Sequence, residues 1–100
     1  MEFQFSERLK NYIQKTGKQF ILVEVVTADT SDIEISEIAV RFVSRRMADY
    51  YIRDRHFIEK QTEVCSLLLP RYPLRYADMV ELDLRSFLFI HLLKQKGMKI

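Results

Sequence analysis

The chain has 100 residues, of which 48% are hydrophobic and 30% charged, with two glycines, two prolines and a formal net charge of +2 at pH 7. This length fits a single domain, 1–100, able to bury roughly two-thirds of the surface its unfolded chain exposes, and the composition excludes a disordered or fibrous class. One cysteine, Cys65, excludes an internal disulfide, the N-terminus lacks the continuous apolar stretch of a secretion signal, and no apolar run approaches the roughly 20 residues that cross a bilayer; a cytoplasmic protein is expected.

Phe3 and Phe5 alternate with Glu2 and Gln4, which predicts a short strand with one buried face. Ser6 can accept a hydrogen bond from a free amide of the next turn, and Leu9, Tyr12 and Ile13 form an i, i+3, i+4 stripe, so a helix is expected over 7–15, closed at Gly17. Phe20 to Val26 reads Phe-Ile-Leu-Val-Glu-Val-Val, a strand covered on both faces and the expected centre of a sheet.

Thr27 to Glu37 is polar and acidic, and reads chiefly as a loop. Ile35, Ile38, Ala39, Phe42 and Val43 have helical spacing, with Ser31 and Glu34 as a capping box, but the β-branched residues favour a strand at 38–43. Arg45 to Asp54 fits a short helix or a wide charged turn, and Phe57 to Leu69 fits two short strands or one long bent strand ended by Pro70. Val80, Leu82 and Leu84 alternate with Glu81, Asp83 and Arg85 as a half-buried strand. Phe87 to Leu93 fits a buried helix or a buried strand by pattern alone, and its aromatic content with the charged turn at Lys94–Gly97 favours a core strand, with a last pairing at 98–100.

Charge is unevenly spread. Residues 19–40 carry five acidic residues and no basic ones, and residues 41–76 carry eight basic against four acidic, which predicts separated surface patches.

The order of strand, amphipathic helix ending near a glycine, strand Val23-Glu-Val-Val26, polar loop, several strands and Val80-Glu-Leu-Asp-Leu-Arg-Ser-Phe-Leu-Phe89 resembles the HesB-like iron-sulfur biosynthesis group, in particular its small offshoot named for a Cys-Cys or Cys-selenocysteine pair. The resemblance implies an α+β fold, an N-terminal helix packed on a curved, mostly antiparallel sheet of six or seven strands. It also implies soft thiolate ligands for iron or a cluster after the central strand and near the C-terminus. Here Thr27, Ala28, Asp29 and Thr30 follow that strand. If Ser86-Phe87 matches the family's Ser-Phe pair, Glu81 and Asp83 stand where its Cys-Gly-Cys-Gly stretch has cysteines. The cysteine pair is absent, and no metal, cofactor or catalytic residue is assigned.

Asp29, Asp32, Glu34 and Glu37 are hard oxygen ligands, but their spacing matches no calcium loop and a solvated acidic loop is expected instead. Cys65, in an apolar neighbourhood, is expected to be a small core residue. His56 reads as a surface histidine and His91 as a satisfied core one. The candidate binding surface is the arginine and tyrosine set of Arg45, Arg46, Arg53, Arg55, Arg71, Tyr72 and Arg75, with residue types that suit protein interfaces or, as an alternative, single-stranded nucleic acid.

The function expected is therefore that of a non-enzymatic HesB-like binding or assembly module that has lost its cluster cysteines. Its partner would be another protein or a second copy, with nucleic acid and membrane disfavoured. One alternative is an iron or iron-sulfur accessory protein using Cys65 across a dimer.

Overall fold

The structure, a computed structural model, describes residues 1–100 apart from Ser31 and Tyr72, with the backbone alone at Asp29 and Thr30. The proposed Ser31–Glu34 capping box lies outside the described residues. The elements in order are β1 (Glu2–Phe5), α1 (Glu7–Thr16), β2 (Phe20–Thr30), β3 (Ile33–Val43), α2 (Arg45–Arg53), β4 (Ile58–Gln61), β5 (Ser66–Leu69), β6 (Arg75–Phe87) and β7 (Ile90–Lys99).

Helix α1 begins and ends where its sequence signals stand. The Ser6 hydroxyl accepts from the Leu9 N–H at 3.3 Å, and Gly17, at φ 74°, donates its N–H to the Ile13 carbonyl at 2.9 Å. Helix α2 is capped in the same way, by the Ser44 hydroxyl accepting from Met47 N–H at 3.2 Å, so Arg45 to Arg53 is a helix rather than a charged turn. The stretch from Phe57 to Leu69 holds two short strands.

The strands form two sheets where one was expected, with orders β1-β6-β7 and β3-β2-β5-β4. Among the described residues, β1 runs parallel to β6 and β2 parallel to β5, and the β2–β3, β4–β5 and β6–β7 pairs are antiparallel. Strand β2 is internal to its sheet and buried on both faces over its first four residues. Ile21 and Val23 face a core shared with Leu9 and Ile13 of α1 and with Val80, Leu82 and Leu84 of β6. Phe20 and Leu22 face α2, against Ala48, Tyr51, Phe57 and Leu68. Each fully buried Leu, Ile or Val here contributes roughly 1.5–3 kcal/mol of apolar transfer.

Three further expectations are corrected. The polar stretch Thr27–Glu37 is largely not a loop: β2 and β3 continue as a two-stranded arm to Thr30 and Ile33, with Val26 opposite Glu37 and Thr27 opposite Ser36. Beyond the core both faces of that ribbon meet water, so polar residues suit it and the ladder satisfies the backbone; the Thr27 and Ser36 hydroxyls lie 3.1 Å apart. Strand β3 accordingly begins five residues before the expected start at Ile38.

The apolar run Phe87–Leu93 is not a core strand. β6 ends at Phe87, Leu88 and Phe89 make the turn, and β7 starts at Ile90, so the run is the end of a hairpin. Continuous apolar patterning does not distinguish a buried segment from an exposed one.

The expected turn at Lys94–Gly97 lies inside β7. Gly97 adopts φ 115° beside the irregular Tyr76–Glu81 stretch of β6, where a Cβ would stand 2.8 Å from the Met79 carbonyl oxygen. The glycine permits close approach between strands, and Met98 and Lys99 then pair with Tyr76 and Arg75.

Candidate binding surfaces

The arginine set does not form one face. Arg45, Arg46 and Arg53 lie on α2, Arg55 follows it, Arg71 lies between β5 and β6, and Arg75 opens β6. Several have partners within the chain. Arg45 sits 5.3 Å from the centre of the Phe20 ring and donates to Gln19 at 3.3 Å, and Arg55 sits over Tyr51 at 5.7 Å. Arg71 donates to the His56 carbonyl at 2.7 Å and Arg75 to the Ile100 carbonyl at 3.1 Å. These contacts use the guanidinium groups to hold loops and chain ends. Tyr72 lies outside the described residues. Of the neighbouring tyrosines, Tyr51 is buried and Tyr50 exposed.

Cys65 is buried in the core between the sheets, and burial pushes its thiol up to about 11. This matches the expectation of a small core residue and removes the cationic, accessible surroundings that make a thiolate. His56 is exposed, as expected, at φ 58°. His91 is not a core residue. It is exposed, with Nδ1 2.8 Å from the Ser86 hydroxyl and its ring 4.8 Å from that of Tyr12.

Glu81 and Asp83 lie on β6, the middle strand of its sheet. Asp83 accepts from Arg8 Nε at 2.7 Å, Arg8 Nη2 at 2.5 Å and Ser6 Oγ at 2.6 Å, and these donors hold its carboxyl well below the usual carboxylate range. The cluster ties the start of α1 to β6. Among the described residues, no three His, Cys, Asp or Glu side chains are grouped so as to hold a metal ion.

Two apolar surfaces stand out, each on a hairpin. The β6–β7 hairpin exposes Phe87 at 74%, Leu88 at 80% and Phe89 at 95%, with Ile90 and Leu92 also exposed. Phe87 pairs with Ile90, Arg85 with Leu92 and Asp83 with Lys94, so these six share one face of mixed charge. On the β2–β3 arm, Val26, Ile33 and Ile35 are exposed, and pairing of Val26 with Glu37 and Ala28 with Ile35 puts them on one face with Glu37. Sequence reasoning missed both surfaces. The first was hidden by a turn without Gly, Asn or Asp, although charge had marked the second.

No family model matches the chain, and no curated protein matches it in sequence. A solved structure matches in shape: Escherichia coli SufA, involved in biosynthesis of iron-sulfur clusters, at a TM-score of 0.56 and 13% identity, over 96% of this chain and 80% of that one. The chain has the SufA fold. The HesB-like architecture read from the order of elements is supported to that extent.

A cluster would need several thiolates at an accessible place. This SufA-like chain has one cysteine, enclosed in its core with a thiol that burial keeps protonated, and the donors do not fit such a group. No helix among the described residues is long and apolar enough to cross a membrane.

Proposed function

We propose that this chain is a non-enzymatic binding or assembly module, a HesB-like domain on the SufA fold that has lost the cysteines through which a cluster would be held. The observation that carries this reading is the state of Cys65, the one thiol in the chain: it lies in the core among Leu67, Leu69 and Leu74 rather than at a site a second ligand could reach. SufA takes part in iron-sulfur cluster biosynthesis. The present chain would work beside such chemistry, or away from it, by contact rather than by ligation, in the reducing cytoplasm that a lone unpaired cysteine suits. A cluster shared across a dimer through Cys65 would require the thiol at the surface. A nucleic-acid surface is likewise disfavoured by the carbonyl and ring contacts that engage Arg45, Arg55, Arg71 and Arg75.

Protein expressed and purified without oxygen is expected to be colourless and to carry far less than one iron per chain. Stoichiometric iron with charge-transfer absorption, lost in Cys65→Ser, overturns the proposal.

A further inference from the structure

We infer that the turn of the β6–β7 hairpin seats this chain on an anionic lipid surface, with Phe87, Leu88, Phe89 and Ile90 entering the interface and nearby cations meeting the headgroups. The inference deepens the reading as a binding module, on which it rests, by naming the surface bound.

Shape separates this tip from an ordinary protein contact. Phe87 and Ile90 form the last pair of the ladder, and Leu88 and Phe89 close the turn beyond it. Phe89 is 95% exposed, and none of the four is less than 57% exposed. The apolar surface therefore caps the end of the hairpin rather than occupying one side. A protein partner covers one side of such a tip, whereas the acyl boundary of a bilayer surrounds it. The turn also carries strain, with Leu88 at φ 55°, where glycine or asparagine would reverse the chain at less cost. Strain kept at an exposed apolar residue points to use of its side chain.

Charge at this end is positive. Residues 84–100 carry Arg85, Lys94, Lys96 and Lys99 and no acid. The next residue back along β6, Asp83, stands opposite Lys94, but both of its oxygens accept from Arg8 and one also from Ser6. Its charge is thus matched within the chain. Helix α1 supplies further cations. Arg8 lies at Asp83, and Tyr12 stacks on His91, which pairs with Ser86. The helix therefore runs along the hairpin toward the turn. Its last turn brings Lys15 to that end, with Lys18 beyond it, 5.5 Å from the centre of the Phe42 ring that Tyr12 also stacks on. Glu63, which borders a hollow with Lys18, offsets only one of Arg85, Lys15 and Lys18. Among the described residues, none of these three cations forms an ion pair.

The spacing along the strands sets the cations at a suitable depth. Residues two apart on a strand are separated by about 6.6 Å, so Arg85 stands roughly 7 Å behind the Phe87–Ile90 pair and Lys94 roughly 13 Å. A tip sunk about 5–10 Å into the headgroup and acyl boundary puts Arg85 at the phosphates, and Lys94 reaches forward along its flexible stem. The expectation that disfavoured a membrane rested on the lack of a spanning run, and insertion of a turn needs none.

The chain contains no tryptophan, so Phe89→Trp introduces a single reporter at the tip. Vesicles of phosphatidylcholine with phosphatidylserine are expected to shift its emission to the blue, to expose it to quenching by brominated acyl chains, and to carry wild type upward in flotation. Leu88→Ser with Phe89→Ser, checked for fold by circular dichroism, is expected to bind about tenfold more weakly or less. Arg85→Gln and Lys18→Gln should each weaken binding about fivefold, and added salt should weaken it further.

Emission and flotation that ignore these vesicles overturn the inference, as does equal binding to phosphatidylcholine alone or undiminished binding by the double serine variant. Blue-shifted emission without vesicles overturns it in favour of a protein contact at the tip. In each of these outcomes metal-free protein leaves the binding-module reading standing, and stoichiometric iron in the anaerobic protein defeats that reading whatever the vesicles show.

Discussion

Arg8 on α1 and Asp83 on β6, 75 residues apart, meet in a two-pronged ion pair, with Nε and Nη2 of the guanidinium each donating to a different carboxylate oxygen. The same carboxylate takes the Ser6 hydroxyl, so the residue that caps α1 is itself held by the sheet. Asp83→Asn is expected to lower the thermal midpoint and to loosen the first turn of α1, seen as faster amide exchange at Leu9. Bonding to Arg8 and Ser6 depresses the folded-state pKa, so this stabilisation is present above the ordinary carboxylate value and is lost as pH falls below it. The midpoint difference between wild type and variant should be constant above roughly pH 5 and close at lower pH. A difference that persists to strongly acidic pH would contradict the assignment.

Cys65 titrates in the opposite sense. Burial raises the thiol from 9.0 to about 11, so the unfolded chain ionises first and wild-type stability should fall between those values. Cys65→Ala should lack that decline, and denaturant melts of both proteins across the range measure it. Alkylation of native protein near neutral pH is expected to be slow, and about a hundredfold faster once urea opens the core.

Gly97→Ala places a Cβ 2.8 Å from the Met79 carbonyl oxygen and 3.1 Å from the Val80 Cα, at φ 115°. Backbone lies on the crowded side, so a side chain cannot swing clear. A loss of about 1–3 kcal/mol is expected from denaturant unfolding, with Gly17→Ala, which meets no neighbouring atom, strained only by its φ of 74° and less affected.

Leu88→Gly is expected to raise stability by about 1 kcal/mol or less, because relief of the left-handed strain outweighs the added freedom of the unfolded chain. A higher denaturant midpoint in the variant checks this, and a lower one would contradict the strain assigned to Leu88 at φ 55°.

Much of the fold was legible where local and global signals agree. Ser6 and Gly17 bound α1, the run at Phe20 is covered on both sides, and the alternation from Val80 to Leu84 is the half-buried strand it resembles. The reading failed at the two hairpins, and for opposite reasons. Thr27–Glu37 has the composition of a loop because its strands leave the core and bury neither face, although they pair locally as a hairpin. Phe87–Leu93 has the composition of a core because apolar residues crowd a turn made by Leu88 and Phe89, which lacks every residue that announces a turn. The arginines were legible as residues but not as a surface, since ring and carbonyl contacts within the chain occupy several of them.

The parallel pairing of β1 with β6 places Glu2 opposite Met79 and Phe5 opposite Leu82. Strand β1 is thus made well before the strand it pairs with, since Met79 follows Glu2 by 77 residues along the chain. Loop closure over that span slows folding relative to a chain built from local pairs. Until β6 has been made, Phe5 lacks Val80 and Leu82 as cover on the nascent chain, and a truncation before β6 would leave β1 without its partner.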